Sequence, residues 1–110
     1  MALTTTALNE ACDAVAVNTI KLHSGDPGAA GTQNVIGSAQ ATVAFSAAAA
    51  GVRTMTAAVD INVPSGTVSH YSLWQGAVLK ARDPFPVAET YASPGIAKIN
   101  SATLTIANVV

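Results

Sequence analysis

Few residues in this chain carry chemistry, and His23-Ser24-Gly25-Asp26 gathers three of them. A serine nucleophile needs a base and an orienting acid, and all three types stand together here. Adjacency in sequence is not triad geometry, however, and no nucleophile-elbow pattern surrounds Ser24. Hydrolysis is therefore not expected. His23 could instead form a hydrogen-bonded pair with Asp26 that pins the loop. The other histidine, His70, is remote, and neither stands at metal-ligand spacing, so both read as structural. Asp26 with nearby carbonyls offers too few ligands for calcium. Asp26 and Asp83 each precede a proline, where aspartate favours turns. Asp60 reads as a solvated strand residue, so no carboxylate pair suits glycoside hydrolysis. The surrounding glycines lack the lysine and hydroxyl residue of a P-loop, and no G-x-G-x-x-G run occurs. No catalytic residue, cofactor or metal is expected, and the chain reads as non-enzymatic.

The remaining candidates act by contact. Lys80 and Arg82 make one small basic spot, suited to solvent or a subunit salt bridge rather than nucleic acid. Tyr71 and Trp74 could form a carbohydrate platform; packing in a core or an interface is the preferred reading, with Leu73 between them. The lone cysteine, Cys12, excludes an internal disulfide and reads as a small buried hydrophobe. Charged residues are 10% of the chain, against roughly 25% in soluble domains. Five Lys plus Arg against six Asp plus Glu leave no electrostatic footprint for nucleic acid or an anionic membrane. So few charges fit a subunit partly covered by others. The N-terminus shows no signal-peptide pattern and no window reaches the length of a membrane span. The short run Ala47–Ala50 is far too small for one.

These residues sit in a chain of 110, enough for one domain over 1–110. A short helix is expected over about 4–17, opened by a threonine cap, with Leu8, Ala11, Cys12 and Val15 on its apolar face and Asn18 as a stop. Glu10 would lie in its early turns, where its charge suits the helix dipole. Thr19–His23 reads as a short strand or extended lead-in. The glycine-rich loop 22–37 follows, with Asp26-Pro27-Gly28 as turn chemistry and Gly31 and Gly37 as further bends. It exceeds the usual connection length, which favours a contact role.

A β domain is expected over 39–110. Thr42–Phe45, Arg53–Val63, Thr67–Trp74, Ala77–Arg82, Val87–Tyr91 and Ile96–Val109 read as strands. Thr67–Trp74 has no clean polar face and reads as central: Val68, His70, Ser72 and Trp74 alternate with Thr67, Ser69, Tyr71 and Leu73. Asp83-Pro84-Phe85-Pro86 is expected to break the chain and excludes a central strand there. The fold class is mainly β (α+β), an antiparallel β-sandwich or barrel-like domain with a short N-terminal helix.

Two segments resemble a known family. Leu22-His23-Ser24-Gly25-Asp26-Pro27-Gly28, followed by Gly31-Thr32-Gln33-Asn34-Val35 and Gly37, is similar to a stretch in small structural proteins of tailed bacteriophages. Val63-Pro64-Ser65-Gly66-Thr67-Val68, leading to Leu73-Trp74, resembles a second stretch of that family. The likeness spans roughly residues 4 to 75. Ser72 stands where the pattern has glycine, Asn34 precedes Val35 where it has glutamate, and Gln75 stands where aspartate often follows. The resemblance implies a virion protein assembled in the host bacterial cytoplasm, of tail fibre or minor tail type, or a capsid decoration protein. It implies partners among other virion proteins, tail or major capsid protein, and a homo-oligomer, a trimer suiting either location. His23, Asp26, Pro27, Gly28, Gly31, Asn34 and Gly37 are the expected interaction loop, with Tyr71, Leu73 and Trp74 as anchors. On this reading, deleting Asp26–Gly31 impairs assembly more than folding. A carbohydrate-binding module built on Trp74 is the alternative from another class.

Overall fold

A computed structural model describes residues 4–99 and the backbone of 103–105. It is mainly β, with one short N-terminal helix and antiparallel sheets in a sandwich-like arrangement. Helix α1 spans Thr5–Asp13, capped by Thr4, whose hydroxyl accepts from the Ala7 amide at 3.2 Å. It is shorter than the sequence pattern predicts. Val15 and Val17 pack on the core from the bend and irregular segment after the helix rather than from a helix face. Glu10 consequently lies in the C-terminal half of the helix, not near its favourable end.

The main sheet has the order β2-β1-β5-β6, from β1 (Thr19–His23), β2 (Val35–Thr42), β5 (Gly66–Gln75) and β6 (Val78–Tyr91). Two ribbons accompany it: β3 (Val52–Thr54) with β8 (Thr103–Thr105), and β4 (Val59–Val63) with β7 (Gly95–Ile99). The expected Arg53–Val63 strand is thus two strands in different sheets. The part of the closing strand beyond Thr105 lies outside the described residues.

One face of the main sheet meets the β4–β7 ribbon. Ile20, Leu22, Tyr71 and Leu73 share a core with Ile61, Val63, Ala97 and Ile99, and Cys12 of α1 joins it. β5 is central, as its doubly buried pattern requires. Strict alternation fails at Ser69, where the β5–β6 register shifts between Val68 and His70. That irregularity lets Val68 join the core beside Tyr71 instead of facing outward with His70.

β6 runs unbroken through Pro84 and Pro86, contrary to the expected break. The reason is its position: it is an edge strand, where a missing backbone donor costs no ladder bond on the outer side. Phe85–Ala88 bulge opposite Ser69, and the Phe85 ring packs on Tyr71 at 4.9 Å. β2 has its own bulge, Ile36–Ala39 opposite Leu22, and Gly37 supplies the positive φ of 44° there. Gly37 therefore belongs to a strand, and the loop between β1 and β2 is Ser24–Asn34.

Candidate functional site

The second face of the main sheet carries the residues singled out by their chemistry. β1 and β5 pair Lys21 with Ser72 and His23 with His70, which brings His23 beside Ser72 although 49 positions separate them. The Ser24–Asn34 loop folds back over this face. His23, Ser72 and Trp74 are buried beneath it, at 0%, 0% and 7% exposure. Ser72 and Trp74, two apart on one strand, point the same way.

A continuous hydrogen-bond relay results. The Gln33 carbonyl can only accept, so His23 Nδ1 donates to it, at 2.9 Å. In the tautomer with that proton on Nδ1, Nε2 accepts from the Ser72 hydroxyl at 2.7 Å. The Ser72 oxygen in turn accepts from Trp74 Nε1–H at 2.6 Å. Every polar atom in this buried line has a partner, and none is left unsatisfied among the described side chains.

Ser72, His23 and a carbonyl have the order of a nucleophile, base and orienting group. The Ser72 oxygen, however, has no open approach: loop, sheet and indole enclose it. Ser24, the serine flagged by adjacency, is exposed and approaches only the Asn34 carbonyl, at 3.5 Å. A His23–Asp26 pair does not form. Asp26 instead accepts from the Gly28 amide at 2.9 Å and from Arg82 at 2.9 Å. The Gly28 amide, and secondarily Arg82, hold the Asp26 carboxyl below its usual range.

The loop has its own scaffold. The backbone amide of Ser24 donates to the Asn34 carbonyl at 2.9 Å, that of Gln33 to the Pro27 carbonyl at 2.9 Å, and that of Gly31 to the Gly28 carbonyl at 3.1 Å. Asn34 takes a left-handed φ of 54°, tolerable for asparagine, and its side-chain amide donates to the Asp26 carbonyl at 2.9 Å. Pro27 is wholly buried. Gly31 has φ 71°, and a Cβ there would lie 2.9 Å from both Trp74 Cζ2 and Leu79 Cδ1. Its close approach is thus to its own sheet.

Of the anchors, Tyr71 and Leu73 belong to the main core, while Trp74 anchors the smaller core beneath the loop. Lys21 Nζ stands 4.3 Å from the centroid of the Trp74 ring. Sequence reasoning missed Ser72, Gln33, Lys21 and Leu79 because only strand register and loop path unite them. The single available signal was Ser72 itself, a hydroxyl in place of glycine two residues before the tryptophan. Outward, the loop shows Ser24, Asp26, Ala29, Ala30 and Thr32.

Among the described residues, no group of three or more His, Cys, Asp or Glu comes together to hold a metal. No helix among them is long and apolar enough to cross a membrane. No known protein family, curated protein or solved structure matches the chain.

Proposed function

We infer that this chain is a non-enzymatic structural protein of a tailed-bacteriophage particle, of tail fibre or minor tail type, acting through contacts with other virion proteins and with its own copies. One observation carries the reading: the two segments that resemble the phage family are built as a single unit. The first supplies His23, Pro27, Gly31 and Gln33; the second supplies Ser72 and Trp74; the relay and the loop cover join them. The close approach of Gly31 to Trp74 joins residues that both match the family pattern, whereas the relay through Ser72, where that pattern has glycine, is this chain's own addition. Its buried serine and histidine act as struts, since their bonding capacity is spent on Trp74 and Gln33. The exposed outer side of the loop, with Asp26 and Thr32, is the surface offered to a neighbour.

The capsid-decoration alternative places the same domain on the head, at high copy number. The glycan-platform alternative loses support, because Trp74 lies beneath the loop with Lys21 over its ring. The test is quantitative mass spectrometry of purified particles. Low copy number fits the tail, high copy number fits decoration, and absence from particles overturns the virion reading.

A further inference from the structure

We propose that the apolar groove between β6 and β7 is a homotypic docking surface, filled by Val87 of a second copy across a twofold axis. The groove, about 310 Å³, opens where the main sheet and the β4–β7 ribbon diverge. Val68, Phe85, Tyr91, Ala97 and Ile99 line it, so its floor is continuous with the core. Val87, carried on the Phe85–Ala88 bulge, is itself part of the groove wall yet 77% exposed, and Ile96 of β7 stands 60% exposed. Bulges re-aim side chains in this way.

Charge identifies the occupant. The groove lining carries an anion, Glu89 on β6, and a cation, Lys98 on β7. Asp60 pairs opposite Lys98 on β4, and Tyr91 donates to Glu89 at 2.7 Å, so both charges have local company. In the proposed pair, each Glu89 faces the other copy's Lys98 while each Val87 enters the other's groove. The knob, the groove and both charges occupy one patch, which is the condition for a reciprocal contact. The proposed contact closes as a pair, and a threefold arrangement suited to a fibre or capsid site would need another surface. Pro84 and Pro86, with Lys80 and Arg82 on the same strand, discourage strand-to-strand pairing along β6. The contact is accordingly one of side chains. A chain with 10% charged residues has few other charges with which to oppose it.

The inference deepens the structural-protein reading and rests on it only for biological meaning, since it is tested on purified protein alone. Sedimentation equilibrium over a wide concentration range should show a monomer–dimer equilibrium. Val87→Asp, at an exposed position, should raise the dissociation constant about tenfold or more with unchanged circular dichroism. Glu89→Lys and Lys98→Glu should each weaken self-association about fivefold or more, because each sets like charges together twice. An equimolar mixture of those two variants should recover dimers, each holding one copy of either kind. A monomer at all concentrations, a trimer, a dimer indifferent to Val87→Asp, or a mixture that does not recover would each overturn the proposal. Particle incorporation is read separately, so failure here leaves the virion reading standing.

Discussion

Ser72 decides more than any other single residue. Its hydroxyl serves two buried partners, accepting from Trp74 and donating to His23. Ser72→Ala removes a group of small volume and strands both partners where water does not replace it. Leaving a buried donor or acceptor unsatisfied costs about 1–3 kcal/mol each, so a loss of roughly 2–5 kcal/mol is expected. Urea denaturation followed through Trp74, the only tryptophan, measures it directly. A loss under about 1 kcal/mol would show that the relay is replaceable. Gly31→Ala attacks the same unit from the loop side. Its φ of 71° and the 2.9 Å approach to Trp74 and Leu79 leave no room for a methyl group. The expected cost is about 1–3 kcal/mol, with Trp74 emission shifted toward that of exposed indole. At this scale the sequence was informative in residue type but not in pairing. His23 and Asp26 were visible as polar anchors, yet their partners, Ser72 and Arg82, lie across strands whose register no local pattern reveals.

Among the elements, those with strong local signals were legible. Central β5, the turn before it and the threonine cap of α1 follow from alternation, glycine placement and capping chemistry. β6 was cut in two because proline argues against a strand only where both edges are paired, and edge position is a property of the sheet. The split between β3 and β4 was hidden because Arg53–Val63 is β-prone throughout. The alanine run is another case: Ala47–Ala50 carries almost no side-chain information, and its conformation is imposed by neighbours. Asn9 accepts from the Gly51 amide and Asp13 from the Ala48 amide, both at 2.8 Å, so one face of α1 holds the run. Arg53 completes the clamp by donating to the Ser46 and Val15 carbonyls. The run ends in a two-residue turn, Ala50-Gly51, with φ 53° and 77° flanked by paired Ala49 and Val52. Two consecutive positive φ values are the hairpin geometry that favours Asn-Gly. Alanine in the left-handed region costs about 1 kcal/mol or more. Ala50→Asn should therefore stabilise the domain by about 0.5–1 kcal/mol, read as a higher urea midpoint with an unchanged slope. An unchanged or lower midpoint would mean that the turn is not strained.

For the whole molecule, the long β5–β6 hairpin gives an elongated body, 48 × 27 × 26 Å, with a radius of gyration of 14.7 Å. A compact chain of this length has a value near roughly 13 Å. The Ser24–Asn34 loop covers the flank that such a shape leaves bare, and Asp26 clips it to β6 through Arg82. Because Asp26 titrates lower when folded, its contribution is complete above its unfolded value near 3.8 and is lost as pH falls through the lowered one. The gap in stability between the native chain and Asp26→Asn should therefore be largest at neutral pH and close only in strong acid. A gap that persists there would place the clip elsewhere. The loop as a whole carries a larger consequence, which reverses the expectation that deleting Asp26–Gly31 impairs assembly more than folding. Shortening a loop by half regains only about 0.6 kcal/mol of closure entropy. Uncovering Trp74 and Leu79 costs more: an indole buries about 150–250 Å², worth several kcal/mol at about 25 cal/mol per Å². Replacing Asp26–Gly31 by two glycines should thus lower stability by about 2–4 kcal/mol and shift Trp74 emission to the red. If the variant kept its midpoint and its emission yet failed to enter particles, the loop would be a contact device first and a cover second.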